Sequence, residues 1–212
     1  MYLISNKYIG LLIVVLLLIF ASCSHKTTNN LKQTDLKFID TVSIFPKGKS
    51  LIYKTGIDFG KKHFSGITII KKTDSISNVV FINELGMKMF NFSFNSATGD
   101  FSVKYILEVL NRKILIKTLE NDYRILLQIF EQNTKTKIFS SDNNKHLIKK
   151  VKYRKNIYYR YDTESKKINF ISEKNSFYNI LKIYLSYKKQ VPETIHLQHK
   201  YKLSVKLNLI QN

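Results

Sequence analysis

Residues 78–95 read NVVFINELGMKMFNFSFN. Two runs flank Leu85-Gly86, and in the second Phe90, Phe92 and Phe94 alternate with Met89, Asn91 and Ser93. Successive side chains of an extended chain point to opposite sides, so a period of two places the three Phe on one face of a strand. Glycine permits the left-handed conformation that a tight turn needs. The stretch therefore predicts a hairpin, with one strand over Ser77–Glu84 and the next over Met87–Asn95.

The same alternation extends in both directions. Leu51–Asp58 and His63–Lys72 read as strands before the hairpin, and Phe101 starts one after it. Turn signals separate them at Phe59-Gly60-Lys61-Lys62, Lys72-Thr73-Asp74-Ser75 and Ala97-Thr98-Gly99-Asp100. Between Lys104 and Phe130 the period changes. Leu115, Leu119, Tyr123, Leu126, Leu127 and Phe130 follow helical spacing, and Glu120 with Arg124 forms an i,i+4 pair. The reading is one helix, with a break near Asn111. Strands resume at Thr136–Ser140, Leu147–Tyr153, Asn156–Asp162, Lys167–Ser172, Phe177–Tyr187, Glu193–Gln198 and Lys200–Leu209. In the last, Tyr201, Leu203, Val205, Leu207 and Leu209 share a face, opposite Lys200, Lys202, Ser204, Lys206 and Asn208. One apolar and one wet face mark an antiparallel sheet. The expected class is mainly β with minor α, and a sheet of roughly ten to twelve strands tends to curl or close. No unit of 20–50 residues recurs, which argues against a propeller or solenoid.

The N-terminus has a different character. Lys7 precedes an apolar run from Tyr8 to Phe20, followed by Ala21, Ser22 and Cys23. That order is the order of a secretory signal peptide. The run falls short of the ~20 residues that span hydrocarbon as a helix. Phe20-Ala21-Ser22-Cys23 resembles a bacterial lipobox, although Phe20 departs from the usual aliphatic residue. The resemblance implies that residues 1–22 are removed and that Cys23, the single cysteine of the chain, becomes the lipid-anchor site. Residues 24–37 are polar and unpatterned and read as a tether, and the acylated Cys and tether together are expected to occupy 23–49. Position 24 is Ser rather than Asp, and no acidic cluster follows Cys23. By analogy with bacterial sorting signals, this places the anchor in the outer membrane and the body on its periplasmic side.

The 212 residues carry 35 basic and 15 acidic groups, a formal charge of +20. Only Arg112, Arg124, Arg154 and Arg160 are arginines. Arg, with its planar fork, is the usual choice where phosphate or guanine is gripped, so a Lys-dominated excess reads as solvated surface rather than a nucleic-acid footprint. The basic and aromatic run Lys152–Arg160 reads as the outer face of a hairpin, with no nucleic-acid partner. The sequence lacks G-x-S-x-G, a P-loop, GxGxxG and HExxH. His196 and His199 sit three apart on a predicted strand, which directs them to opposite faces and away from a shared metal. The expectation is no enzyme, no metal and no cofactor.

The segment Asn78–Asn95 resembles the third and fourth strands of LolB-like outer-membrane lipoproteins, in which an apolar strand ends in Asn-x-Leu-Gly before an alternating strand. Here the intervening residue is Glu84 where the family usually has Pro. Pro192–Leu197 and Tyr201–Leu207 are similar to that family's closing strand pair. The match follows strand order over most of residues 50–210 and is specific at these two motifs. The resemblance implies an incomplete antiparallel β-barrel over residues 50–212, closed by a helix over an apolar cavity. It implies a non-enzymatic protein that takes acyl chains of lipoproteins from a periplasmic LolA-like carrier and inserts them in the outer membrane. It assigns Leu85 and Gly86 to a membrane-insertion loop. Phe90, Phe92 and Phe94, with Leu203, Val205 and Leu207, are the expected cavity wall. A buried acyl chain of sixteen carbons is worth about 12 kcal/mol at ~0.8 kcal/mol per methylene, so transfer between membranes requires a cavity of comparable affinity. The alternative is a periplasm-facing scaffold or interaction protein of the same fold, with a filled interior and no lipid cargo.

Overall fold

The computed structural model describes residues 31–34, 42–131, 134–141, 145–175, 178–201 and 203–211. The expected signal peptide over 1–22, Cys23 and residues 24–30 and 35–41 of the expected tether lie outside the described residues. Among the described residues, thirteen strands form one sheet: β1 (Leu31–Thr34), β2 (Ser50–Phe59), β3 (Lys62–Lys72), β4 (Ile76–Asn83), β5 (Lys88–Asn95), β6 (Phe101–Ile106), β7 (Lys135–Ser141), β8 (His146–Lys152), β9 (Asn156–Asp162), β10 (Lys167–Lys174), β11 (Asn179–Lys188), β12 (Val191–His199) and β13 (Leu203–Gln211). Their spatial order is β1-β7-β8-β9-β10-β11-β12-β13-β2-β3-β4-β5-β6, so the sheet ends at β1 and β6 and is not closed. The fold is the expected incomplete antiparallel barrel with a helix.

Local chemistry explains the hairpins. Gly86 has φ +79° at the β4–β5 tip. Asn83 Oδ1 accepts the N–H groups of Leu85 (3.1 Å) and Met87 (2.9 Å), which fixes that loop. Gly66 of β3 lies so close to β4 that a Cβ on it would meet the Ile82 carbonyl oxygen at 2.0 Å. The expected strand over Lys200–Leu209 starts later, at Leu203, and Lys200 and Tyr201 belong to the turn before it.

The predicted helical stretch divides near Asn111 as its pattern suggests. A 3-10 turn covers Glu108–Leu110, and helix α1 runs over Lys113–Leu127. No side chain caps its start. Gln128, at φ 58°, ends it by donating its backbone N–H to the carbonyls of Arg124 and Ile125. Phe130, expected on the helix, lies beyond it and packs against Tyr153, with ring centroids 5.5 Å apart.

Helix α1 reveals how strongly the sheet curls. Tyr159 of β9 donates its hydroxyl to the Ile125 carbonyl at 2.8 Å. Phe90 of β5 meets Tyr123 with ring centroids 6.1 Å apart. These strands stand eight places apart in the sheet order, which is about 38 Å in a flat sheet. A helix is only about 10–12 Å wide. The sheet must therefore wrap around α1, and the core occupies its concave side.

Two expectations need correction. Ile44 and Phe45 are buried in the core, and β1 falls inside the stretch read as tether. The folded body thus begins N-terminal to the expected boundary at residue 50. Phe90, Phe92, Phe94 and Leu207 retain no accessible surface, and Val205 almost none. A side chain bordering a void that admits water would keep some. These residues are packed core rather than cavity wall. Phe90 stacks on Phe92 with centroids 4.5 Å apart, and Phe101 caps Phe92 at 5.3 Å.

Candidate functional site: a groove at the open end of the sheet

The pairings Leu203↔Phe59 and Gly66↔Asn83 place three hairpin tips at one end of the sheet: β2–β3, β4–β5 and β12–β13. The start of α1 reaches the same end, where it shares a cavity with Phe59, Tyr201 and Leu203. Two adjoining hollows open here. The larger, of about 870 Å³, lies among the β2–β3 tip and the ends of β11, β12 and β13. The smaller, of about 470 Å³, lies between the first half of α1 and the ends of β2, β10, β11, β12 and β13. Ile180, His199 and Leu203 line both. Each volume falls in the range of small-molecule sites, about 300–1,000 Å³.

Apolar side chains stand open at this end. Leu85 is 83% exposed, Ile114 79% and Tyr201 66%, and Met87 and Phe59 are also accessible. Cations surround the hollows: Lys61, Lys117, Arg154, Lys155, Lys182 and Lys200, against the two carboxylates Asp58 and Glu173. Lys200 Nζ sits 3.3 Å from the centre of the Tyr178 ring. Of the six residues expected to line a cavity, Leu203 alone is found at these two hollows. Leu85 and Gly86 form the exposed turn that the motif predicts.

A polar cluster lies beneath the groove. Asp122 of α1, fully buried, meets His199 Nε2 at 2.8 Å. Burial alone would lower the His199 pKa, but the Asp122 charge and hydrogen bond outweigh it and raise the pKa. Burial raises the Asp122 carboxyl against the opposing pull of His199. Glu173 accepts from Asn121 Nδ2 at 3.3 Å and faces Lys155 at 3.9 Å; burial raises its pKa despite both. An Asp–His pair can orient a nucleophile. Among the described residues, however, no hydroxyl or thiol bonds to His199. No three His, Cys, Asp or Glu among them converge on a metal position. The pair fastens α1 to the end of β12.

Reading the sequence alone missed this pair, whose members lie 77 residues apart. One signal was present. Leu115, Leu119, Asp122 and Leu126 follow one helical stripe, and a carboxylate on a core-facing stripe demands a buried partner.

No protein-family model matches the sequence, and no curated protein matches it. Among solved structures, the chain is similar to a domain described as that of an outer membrane lipoprotein-sorting protein from Vibrio parahaemolyticus. The TM-score is 0.48 at 6% identity, covering 78% of this chain and 86% of that one. It is also similar to a DUF1329 family protein from Desulfovibrio piger ATCC 29098. There the TM-score is 0.44 at 7% identity, covering 82% of this chain and 86% of that one.

Proposed function

We propose that this chain is a non-enzymatic acyl-binding lipoprotein, anchored through Cys23 to the periplasmic face of the outer membrane. In this reading it accepts acylated proteins from a periplasmic LolA-like carrier and passes them to the membrane, as LolB-like proteins do. The observation that carries the reading is the groove itself, in which apolar side chains stand exposed at the open end of the sheet with cations around them. Ile114, Phe59, Tyr201 and Leu203 offer an acyl chain apolar contact, each buried side chain contributing ~1.5–3 kcal/mol. The surrounding cations favour anionic headgroups at ~1 kcal/mol for each one near the surface. Leu85, at the same end and 83% exposed, is the side chain we assign to bilayer insertion.

The packed Phe stripe of β5 favours a second reading, an interaction protein with a filled interior and no cargo. Mass spectrometry of lipids that co-purify with the full chain separates the two. Stoichiometric acyl lipid, lost in Ile114→Glu, supports the groove. A folded protein that carries none supports the cargo-free scaffold.

A further inference from the structure

A further hollow, of about 240 Å³, opens on the other side of the start of α1. Phe64, Val109, Leu110 and Leu115 are among its walls. Among the described residues, Phe59 is the one that lines both this hollow and the space of about 470 Å³ along α1.

The sequence sets Phe59 in that position. Leu51, Tyr53, Thr55 and Ile57 are the buried, inward-facing residues of β2, and Phe59 continues their period of two. It is also the last residue of the strand, before Gly60 turns the chain at φ +63°. The core ends there, and the side chain is left 37% exposed. Helix α1 completes the wall. Successive helical residues stand about 100° apart, so Ile114, Lys117 and Thr118 line the groove whereas Leu115 lines the further hollow. The helix turn is held by backbone hydrogen bonds, the Ile116 N–H to the Arg112 carbonyl at 3.0 Å among them. The Phe59 ring is the part of the wall that a substitution can remove.

We infer that Phe59 is the partition that sets how long an acyl chain the groove accepts. The end of the chain stops against the ring, and the hollow beyond is apolar length kept out of use. The inference rests on the acyl-binding reading and adds to it the residue that determines chain-length preference. Each methylene taken out of water raises affinity about fourfold. That rise stops where the next methylene finds no apolar space. With the ring removed, Phe64, Leu110 and Leu115 offer such space.

Competition against a fluorescent fatty-acyl probe tests it, using the full chain and a homologous series of saturated fatty acids below their micelle-forming concentrations. In the unaltered chain, affinity should climb with length and then level off. In Phe59→Ala it should go on climbing past that length, so that the longest acids gain about tenfold or more relative to the shorter ones, the equivalent of roughly two further methylenes. The ratio within one protein is the readout, because losing the Phe59 contact alone weakens every length alike. Phe59→Leu should move the limit in the same direction by less, and it keeps the test decisive if Phe59→Ala does not fold. Val109→Trp, on the exposed 3-10 turn, should fill the further hollow. Alone it leaves the limit where it is, and combined with Phe59→Ala it cancels the extension. A limit unmoved in folded Phe59→Ala and Phe59→Leu, or an extension that survives Val109→Trp, would overturn the partition and leave the acyl groove standing. Affinity that climbs without a limit in the unaltered chain would do the same. No saturable acyl binding by the folded, unaltered chain would instead remove the acyl reading, and this inference with it.

Discussion

Asp122 and His199 show how much a single contact contributes when it is dry. Removing one partner of a buried pair leaves an uncompensated polar or charged group, at a cost of about 3–5 kcal/mol. His199→Ala is therefore expected to lower unfolding stability by that amount in denaturant titrations. The pH dependence has a definite sign. A His whose folded pKa is raised contributes fully below its unfolded value, about 6.5, and loses that contribution as pH rises through the folded pKa. His199→Gln should flatten this part of the stability profile above pH 6.5. The Phe stripe makes an opposite point about legibility. Its shared burial was readable from a period of two, but a packed core and a cavity wall have the same sequence pattern. The difference lies in what fills the other side, here Phe101 and Tyr123. Phe92→Ala is expected to cost about 3–5 kcal/mol, the range for truncating a buried Phe. As Phe92 lies away from the groove, acyl affinity of the folded variant should be unchanged.

At the scale of elements, the β3–β4–β5 hairpins combine a rigid frame with an exposed tip. Gly66→Ala would drive a Cβ into the Ile82 carbonyl. It is expected to destabilise by more than ~1 kcal/mol, read as a lowered Tm, because backbone on an adjacent strand has nowhere to yield. Leu85 is the converse case. It contacts solvent, and Asn83 holds its loop through backbone groups. Leu85→Glu should change stability by no more than about 0.5 kcal/mol, yet reduce co-sedimentation with anionic vesicles and abolish delivery of acylated proteins. Normal delivery by the folded variant would remove Leu85 from the mechanism. Strand positions were legible because alternation and turn residues mark them locally. The strand at Leu31–Thr34 and the burial of Ile44 and Phe45 were not legible. Their pairing partners are distant in sequence, and short apolar segments in a polar stretch carry no period.

Among the described residues, a curled, open sheet wraps around helix α1, with an apolar and cationic groove where the hairpin tips and the start of α1 converge. Strand order and the helix could be read from periodicity. The groove could not, since it exists only where Phe59, Ile114, Ile180 and Leu203, drawn from four elements, meet. Its proposed role makes one direct demand, that an acyl chain binds there. Titration of a fluorescent fatty-acyl probe into the full chain and into Ile114→Glu tests it most directly. Ile114 is largely exposed, so the variant should fold normally. Losing the burial of one aliphatic side chain, ~1.5–3 kcal/mol, should weaken binding about tenfold or more. The account predicts saturable binding, displaced by an acylated peptide and weakened to that extent in the variant. No saturable binding by the folded protein, or equal affinity in both, would contradict it.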